Sequence, residues 1–217
     1  MSAGQHIYAR QRERKHHGQL GSQGILVVDS QPASLSTQVL EALAKLSAKP
    51  IRYLINTSAD PAHTGGNDAL RRAGVQVFAG PGARAISDAA DGAAIIAHEN
   101  VLNRMSAPTG SQSPTTPGNW PTDTFSGEVK ELFFNGESLK VLHQPAASSD
   151  GDSLVYFRRS DVISAGNLFS TVSYPVIDSE KGGSFQGVID GLNRMLDLAV
   201  PEHEHDSQLS RIPGFRR

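Results

Sequence analysis

The 217-residue chain contains no cysteine. That excludes a disulfide scaffold, cysteine-ligated zinc, an iron–sulfur cluster and a thiol nucleophile. It does not fix the compartment, because a cysteine-free protein is stable on either side of a membrane. Long apolar runs are also missing: none approaches the roughly 18–20 residues that span a bilayer. The opening MSAGQHIYARQRERKHH lacks the apolar centre of a secretory signal, so a cytoplasmic location is expected. No G-x-G-x-x-G or phosphate-loop pattern occurs, no nucleophile elbow frames a serine, and no internal repeat is visible. Aromatic residues are sparse at 6%, and Trp120 is the only tryptophan.

Charge is present but unevenly spread. Within residues 1–24, Arg10, Arg12, Arg14 and Lys15 face only Glu13, giving +3 and leaving −5 for the rest of a chain of net charge −2. A mildly acidic body offers no electrostatic reason to bind nucleic acid, so no nucleic-acid partner is expected. The first 23 residues are basic and polar without two-residue alternation, which predicts a poorly ordered segment ahead of one domain over 24–217.

The body alternates strand and helix. GILVVDS (Gly24–Ser30) predicts a buried strand, and Leu35, Val39, Leu43 and Leu46 predict an amphipathic helix ending before Pro50. IRYLIN (Ile51–Asn56) predicts a second strand, followed by a polar loop, a short helix over Asp68–Ala73 and a strand at Val75–Ala79. Ala93, Ile96, Ala97, Val101 and Met105 predict a helix over Ala89–Met105, followed by a Ser/Thr/Pro/Gly-rich loop, Ser106–Pro121. Trp120 in that loop either lines a lid or fastens the loop to the core. From Gly127 four short strands follow, the first two joined by an Asn135–Gly136 hairpin turn. A last helix over Ser184–Leu198 is expected to bury Phe185, Val188, Ile189, Leu192, Met195 and Leu196. This order predicts a layered α/β domain.

Three loops carry a resemblance: NTSADPAHTGGN (Asn56–Asn67), HQPAASSDGDSLVYF (His143–Phe157) and SAGNLFS (Ser164–Ser170). In that order, from about Gly24 to Gly214, the chain resembles the metallo-β-lactamase superfamily, most of all the hydrolases around the class B β-lactamases. The resemblance implies a four-layer αββα sandwich, incomplete at both ends, with one or two zinc ions at the sheet edge. In that family a His-x-His-x-Asp-His loop, a histidine before an Asp-Gly-Asp turn, an aspartate after Ser-Ala-Gly and a late Pro-Gly-His hold the metal. The metal in turn supplies hydroxide near neutral pH.

Measured against that pattern, most ligands are replaced. Ser58, Asp60 and Ala62 occupy the first three positions of the loop and only His63 is a matching histidine. Ser148 stands before the DGD turn, Asn167 follows Ser-Ala-Gly, and Phe215 ends the Pro-Gly motif. The candidate metal residues are therefore Asp60 and His63, with Asn167 or Asp150 as possible helpers. A neutral Asn167 carbonyl suits calcium or magnesium better than zinc. Two ligands fall short of the three or four that zinc takes. The bland alternative is that Asp60 fixes its loop and His63 hydrogen-bonds within it.

His98 on the long helix, His143 at a strand end, and His203 and His205 in PEHEHD have no partner that the sequence identifies, and Asp150 and Asp152 are expected to brace their turn. The expectation is a catalytically impaired homologue without a resident cofactor, recognising an unidentified small molecule or protein. The alternative is a metal-dependent hydrolase of an ester, lactone or lactam using Asp60 and His63 with zinc or another divalent cation.

Overall fold

The computed structural model describes residues 5–11, 14–75, 92–106, 113–171 and 173–199, with side chains 8–16 left aside. Its strands are β1 (Gln5–Gln11), β2 (Arg14–Gly21), β3 (Gly24–Val28), β4 (Ile51–Ile55), β5 (Ala94–His98), β6 (Asp123–Phe125), β7 (Val129–Phe134), β8 (Glu137–His143), β9 (Ser153–Phe157) and β10 (Val162–Ser164). The helices are α1 (Ser36–Leu46), α2 (Pro61–Thr64), α3 (Asn67–Ala73), α4 (Glu99–Ser106) and α5 (Phe185–Ala199).

Strands β1 to β6 form one sheet in chain order, and β10-β9-β8-β7 form the other. In the first sheet β3, β4, β5 and β6 run parallel, whereas β1 and β2 are antiparallel additions. All five residues of β3 are buried, as expected for a parallel strand covered on both faces. The second sheet is an antiparallel meander. Its Asn135–Gly136 turn has both φ angles positive, at 49° and 82°, as a two-residue hairpin turn of this hand requires.

The side chains sort into layers. Leu26, Val28, Ile55 and Ile96 meet Leu139, Val141, Val155 and Phe157 between the sheets. On the outer face of the first sheet, Ile25, Val27, Leu54 and Ile95 pack on Leu43 of α1 and Leu70 of α3. Across the second sheet, Leu142 and Leu154 pack on Val188 of α5, with Leu192 and Met195 at the margin. The order is helix, sheet, sheet, helix, the expected αββα sandwich.

Four expectations are corrected. The first 23 residues include two strands, β1 and β2, rather than forming a poorly ordered head. Their alternation is hidden because the inward face carries His6, His17 and Gln19 instead of apolar residues. Second, Ala94–His98 is a strand between β4 and β6, and the helix begins only at Glu99. A short, mostly apolar run fits either element, and pairing on both sides decides it. Third, Phe185 and Leu196 are exposed on α5, at 71% and 61%. The helix lies on its buried Gly187, Val188 and Gly191, and at Gly187 the Ala146 backbone leaves no room for a Cβ. Fourth, His98 ends a strand rather than riding on a helix. Residues 76–79 of the strand expected at 75–79, and His203, His205 and Phe215, lie outside the described residues.

Candidate functional site

Parallel β3, β4 and β5 deliver their following loops to one edge of the sandwich, where loops of the second sheet also arrive. Asp29 follows β3 with φ at 61°, a left-handed conformation that few non-glycine residues adopt. Its backbone N–H donates to Ile55 O at 2.9 Å, which ties the turn to β4. The carboxylate is held in place by Thr57: the backbone N–H donates to Oδ1 at 2.8 Å, and the hydroxyl to Oδ2 at 2.7 Å. Farther along the loop, Asn56 and Asn67 exchange side-chain hydrogen bonds at 2.7 and 3.0 Å. Pro61 opens the short α2, which presents His63.

His63 is clamped from both sides. Its Nδ1 donates to Asp29 Oδ2 at 2.7 Å, and its Nε2 to Asn167 Oδ1 at 2.7 Å. The direction of the second bond follows from the other half of the amide. Asn167 Nδ2 donates to Asp60 Oδ2 at 2.8 Å and Ser58 Oγ at 3.2 Å, so Oδ1 is the atom that faces the ring. An amide oxygen and a carboxylate can only accept, so both ring nitrogens carry protons and the ring is an imidazolium. Burial alone would lower its pKa, but the Asp29 charge, the hydrogen bonds to Asp29 and Asn167, and Asp60 push it up to about 9. Asp60 in turn faces the ammonium of Lys181, 3.7 Å from its Oδ1, while Lys181 also pairs with Asp178 at 2.7 Å.

Asp152 lies beneath this chain, 2% exposed. Its Oδ2 accepts from the Ser149 backbone N–H at 2.5 Å, and its Oδ1 has no hydrogen-bond partner among the described residues. Burial pushes its pKa up to about 6, helped by Asp60 and opposed by Ser149 and His63.

The positions singled out in sequence do come together. Ser58, Asp60, His63 and Asn167 share one hydrogen-bonded group, and Ser148 Oγ reaches Asn167 O at 3.4 Å. The helpers differ: Asn167 bridges Asp60 and His63, whereas Asp150 is turned away onto Arg104 in a two-pronged pair at 2.6 and 2.8 Å. His98 is 3% exposed and stacks on His143 with centroids 3.5 Å apart, and His143 Nε2 donates to Asp150 O at 2.7 Å. Trp120 packs against Ala97, Val101 and Met105 and donates to Thr115 O at 3.2 Å, so it fastens its loop to the core. The sequence reading missed Asp29, Thr57 and Lys181. Only Asp29 left a trace, as an acid directly after a fully buried strand.

Zinc chemistry does not fit this donor set. A metal ligand must offer a lone pair, and both His63 nitrogens donate protons instead. The other candidate, Asp60, is shared between an amide N–H₂ and an ammonium. Among the described residues no group of three or more His, Asp or Glu is arranged to hold a metal ion.

The two-sheet sandwich, with its loops converging at one edge, has the fold of the metallo-β-lactamase superfamily. Solved structures that it matches include a metallo-β-lactamase from Pontibacter korlensis, at 13% identity and a TM-score of 0.62, covering 91% of this chain and 81% of that one. A metallo-β-lactamase family protein from Thermus thermophilus matches at 15% identity and a TM-score of 0.63, covering 89% and 69%. A Cronobacter sakazakii metallo-β-lactamase described by a HARLDQ motif matches at 18% identity and 0.58, covering 89% and 70%. No family model and no curated protein sequence matches the chain.

Proposed function

We propose that this protein uses a metallo-β-lactamase fold for binding rather than for zinc-dependent hydrolysis. The observation that carries the reading is the double clamp on His63, with Asp29 on one ring nitrogen and Asn167 on the other. An imidazolium and the Lys181 ammonium supply positive charge beside Asp29 and Asp60, where a hydrolase of this fold would need a cation to generate hydroxide. A cavity of about 620 Å³ lies beside Asp60, with Asn100, Asn103, Arg104, Asp150 and Lys181 in its walls. Its size and mixed polarity suit a small polar molecule.

The competing reading is a hydrolase with a metal on Asp60 and His63. It requires His63 to lose a proton and the Asn167 amide to swing away. Equilibrium dialysis of untagged protein against micromolar zinc, followed by elemental analysis, separates the two. Binding without zinc chemistry predicts far less than one zinc per chain, and no zinc-dependent hydrolysis of a lactam or lactone. Stoichiometric zinc that disappears on His63→Ala would overturn it.

A further inference from the structure

A second histidine chain lies away from the His63 loop, between the edge strands of the two sheets. His6 and His17 project inward from β1 and β2, and both rings lie edge-on to Phe157 with centroids 4.7 Å away. Glu137 Oε1 accepts from His6 Nε2 at 2.9 Å and from Gln19 Nε2 at 2.6 Å. His6 Nδ1 and His17 Nε2 are 2.7 Å apart, and His17 Nδ1 contacts Ser164 Oγ. Glu137 is 2% exposed, whereas Ser164 is only half-buried on β10, an edge strand with one neighbour.

With His6 neutral, the carboxylate sets the direction of each bond along the chain. It only accepts, so His6 donates through Nε2, and a neutral His6 then accepts at Nδ1. His17 must therefore donate through Nε2, which leaves the Nδ1 lone pair facing the Ser164 hydroxyl. A serine whose hydroxyl donates to a histidine, itself oriented by a buried base, has the arrangement of an activated nucleophile. We infer that Ser164 is a nucleophile activated by the Glu137–His6–His17 chain, with small activated carboxylic esters as its substrate class.

In the acylation step the Ser164 Oγ–carbonyl bond forms and the ester C–O bond breaks. The hydroxyl proton passes to His17 Nδ1, the His17 Nε2 proton to His6 Nδ1, and the leaving alkoxide departs as the alcohol after the protons return. Water then cleaves the acyl-serine by the same route, releasing the acid and restoring the hydroxyl. The proton does not rest on His17: burial, and then the neighbouring His6, push its pKa down to about 3. The chain ends at Glu137, a carboxylate that burial disfavours but that hydrogen bonds from His6, Ser160 and Gln19 keep below its ordinary pKa. None of these groups belongs to the His63 cluster, so the inference stands or falls independently of zinc.

The test treats the full, zinc-free chain with an alkyl fluorophosphonate and maps the adduct by mass spectrometry. Attack by Ser164 expels fluoride, so the expected result is a single phosphonyl adduct on Ser164, absent from Ser164→Ala and formed at least tenfold more slowly in Glu137→Gln. A second variant guards against misfolding of the buried substitution. In Ser164→Cys, the pH profile of alkylation by iodoacetamide should have a midpoint below the ~8.5 of an ordinary thiol. No adduct on Ser164, an adduct formed equally fast in Glu137→Gln, or an ordinary thiol profile in Ser164→Cys would overturn the inference.

Discussion

The two buried histidine networks use the same residue types and reach opposite chemical states. At the sheet ends, His63 lies between a carboxylate and an amide oxygen, two acceptors, so both nitrogens hold protons. Between the sheet edges, His17 lies between another histidine and a hydroxyl, partners that both donate and accept. The first arrangement has one stable proton configuration and locks a cation in place. The second has two configurations related by proton movement. What separates a structural histidine from a working one here is the donor capacity of its neighbours, not its burial.

The largest expected effect comes from rebuilding the first network as a metal site. Ser58→His, Asp60→His, Ala62→Asp, Ser148→His and Asn167→Asp, combined, remove the amide that clamps His63 and add donors with lone pairs. Zinc affinity measured by competition with a chromogenic chelator should rise more than ~100-fold, because the number of ligands decides whether zinc stays hydrated. Activity need not follow.

Removing one clamp without replacement is the next largest change. Asp29→Ala leaves the Thr57 N–H and hydroxyl and the His63 ring without their acceptor, and should cost about 3–5 kcal/mol in urea denaturation, as for a broken buried pair. A cost below that of a surface substitution would show that the clamp is not needed for the fold. In the core, Leu154→Ala, at a fully buried site, should cost about 2–5 kcal/mol and exceed Leu192→Ala, which is at the margin of the α5 layer.

Stability should also fall with pH in two steps. Asp152 is raised from 3.8 to about 6, so its contribution is complete below pH 3.8 and is lost as pH rises through 6. His63 is raised from 6.5 to about 9, so its contribution is complete below pH 6.5 and is lost as pH rises through 9. Urea midpoints across pH 4–10 should show both declines, with the upper one missing in His63→Asn. The smallest effect is expected at Ser148: its hydroxyl makes only a 3.4 Å contact with Asn167 O, so Ser148→Ala should cost no more than about 1 kcal/mol.

Much of this architecture is written in local pattern. The β3 and β4 runs, the α1 stripe and the Asn135–Gly136 turn each carry their signal within a few residues, and the order of three loops points to the site. What was illegible depends on distant partners. β1 and β2 read as a poorly ordered head because their inward face carries His6, His17 and Gln19, whose partners Glu137 and Ser164 are more than a hundred residues away. β5 read as helix because its pairing strands are not in its own sequence. Asp60 and His63 were identified as neighbours, but their states are set by Asp29, Asn167 and Lys181, which arrive from three other segments.

Two protons on one ring distinguish a locked cation from a metal ligand, and nitrogen-15 NMR of the histidine side chains measures them directly. At pH 7 both His63 nitrogens should show the shifts of protonated imidazolium nitrogens, unchanged by excess zinc, and should titrate only near pH 9. A His63 nitrogen with the shift of an unprotonated ring nitrogen at pH 7, moving when zinc is added, would contradict the account.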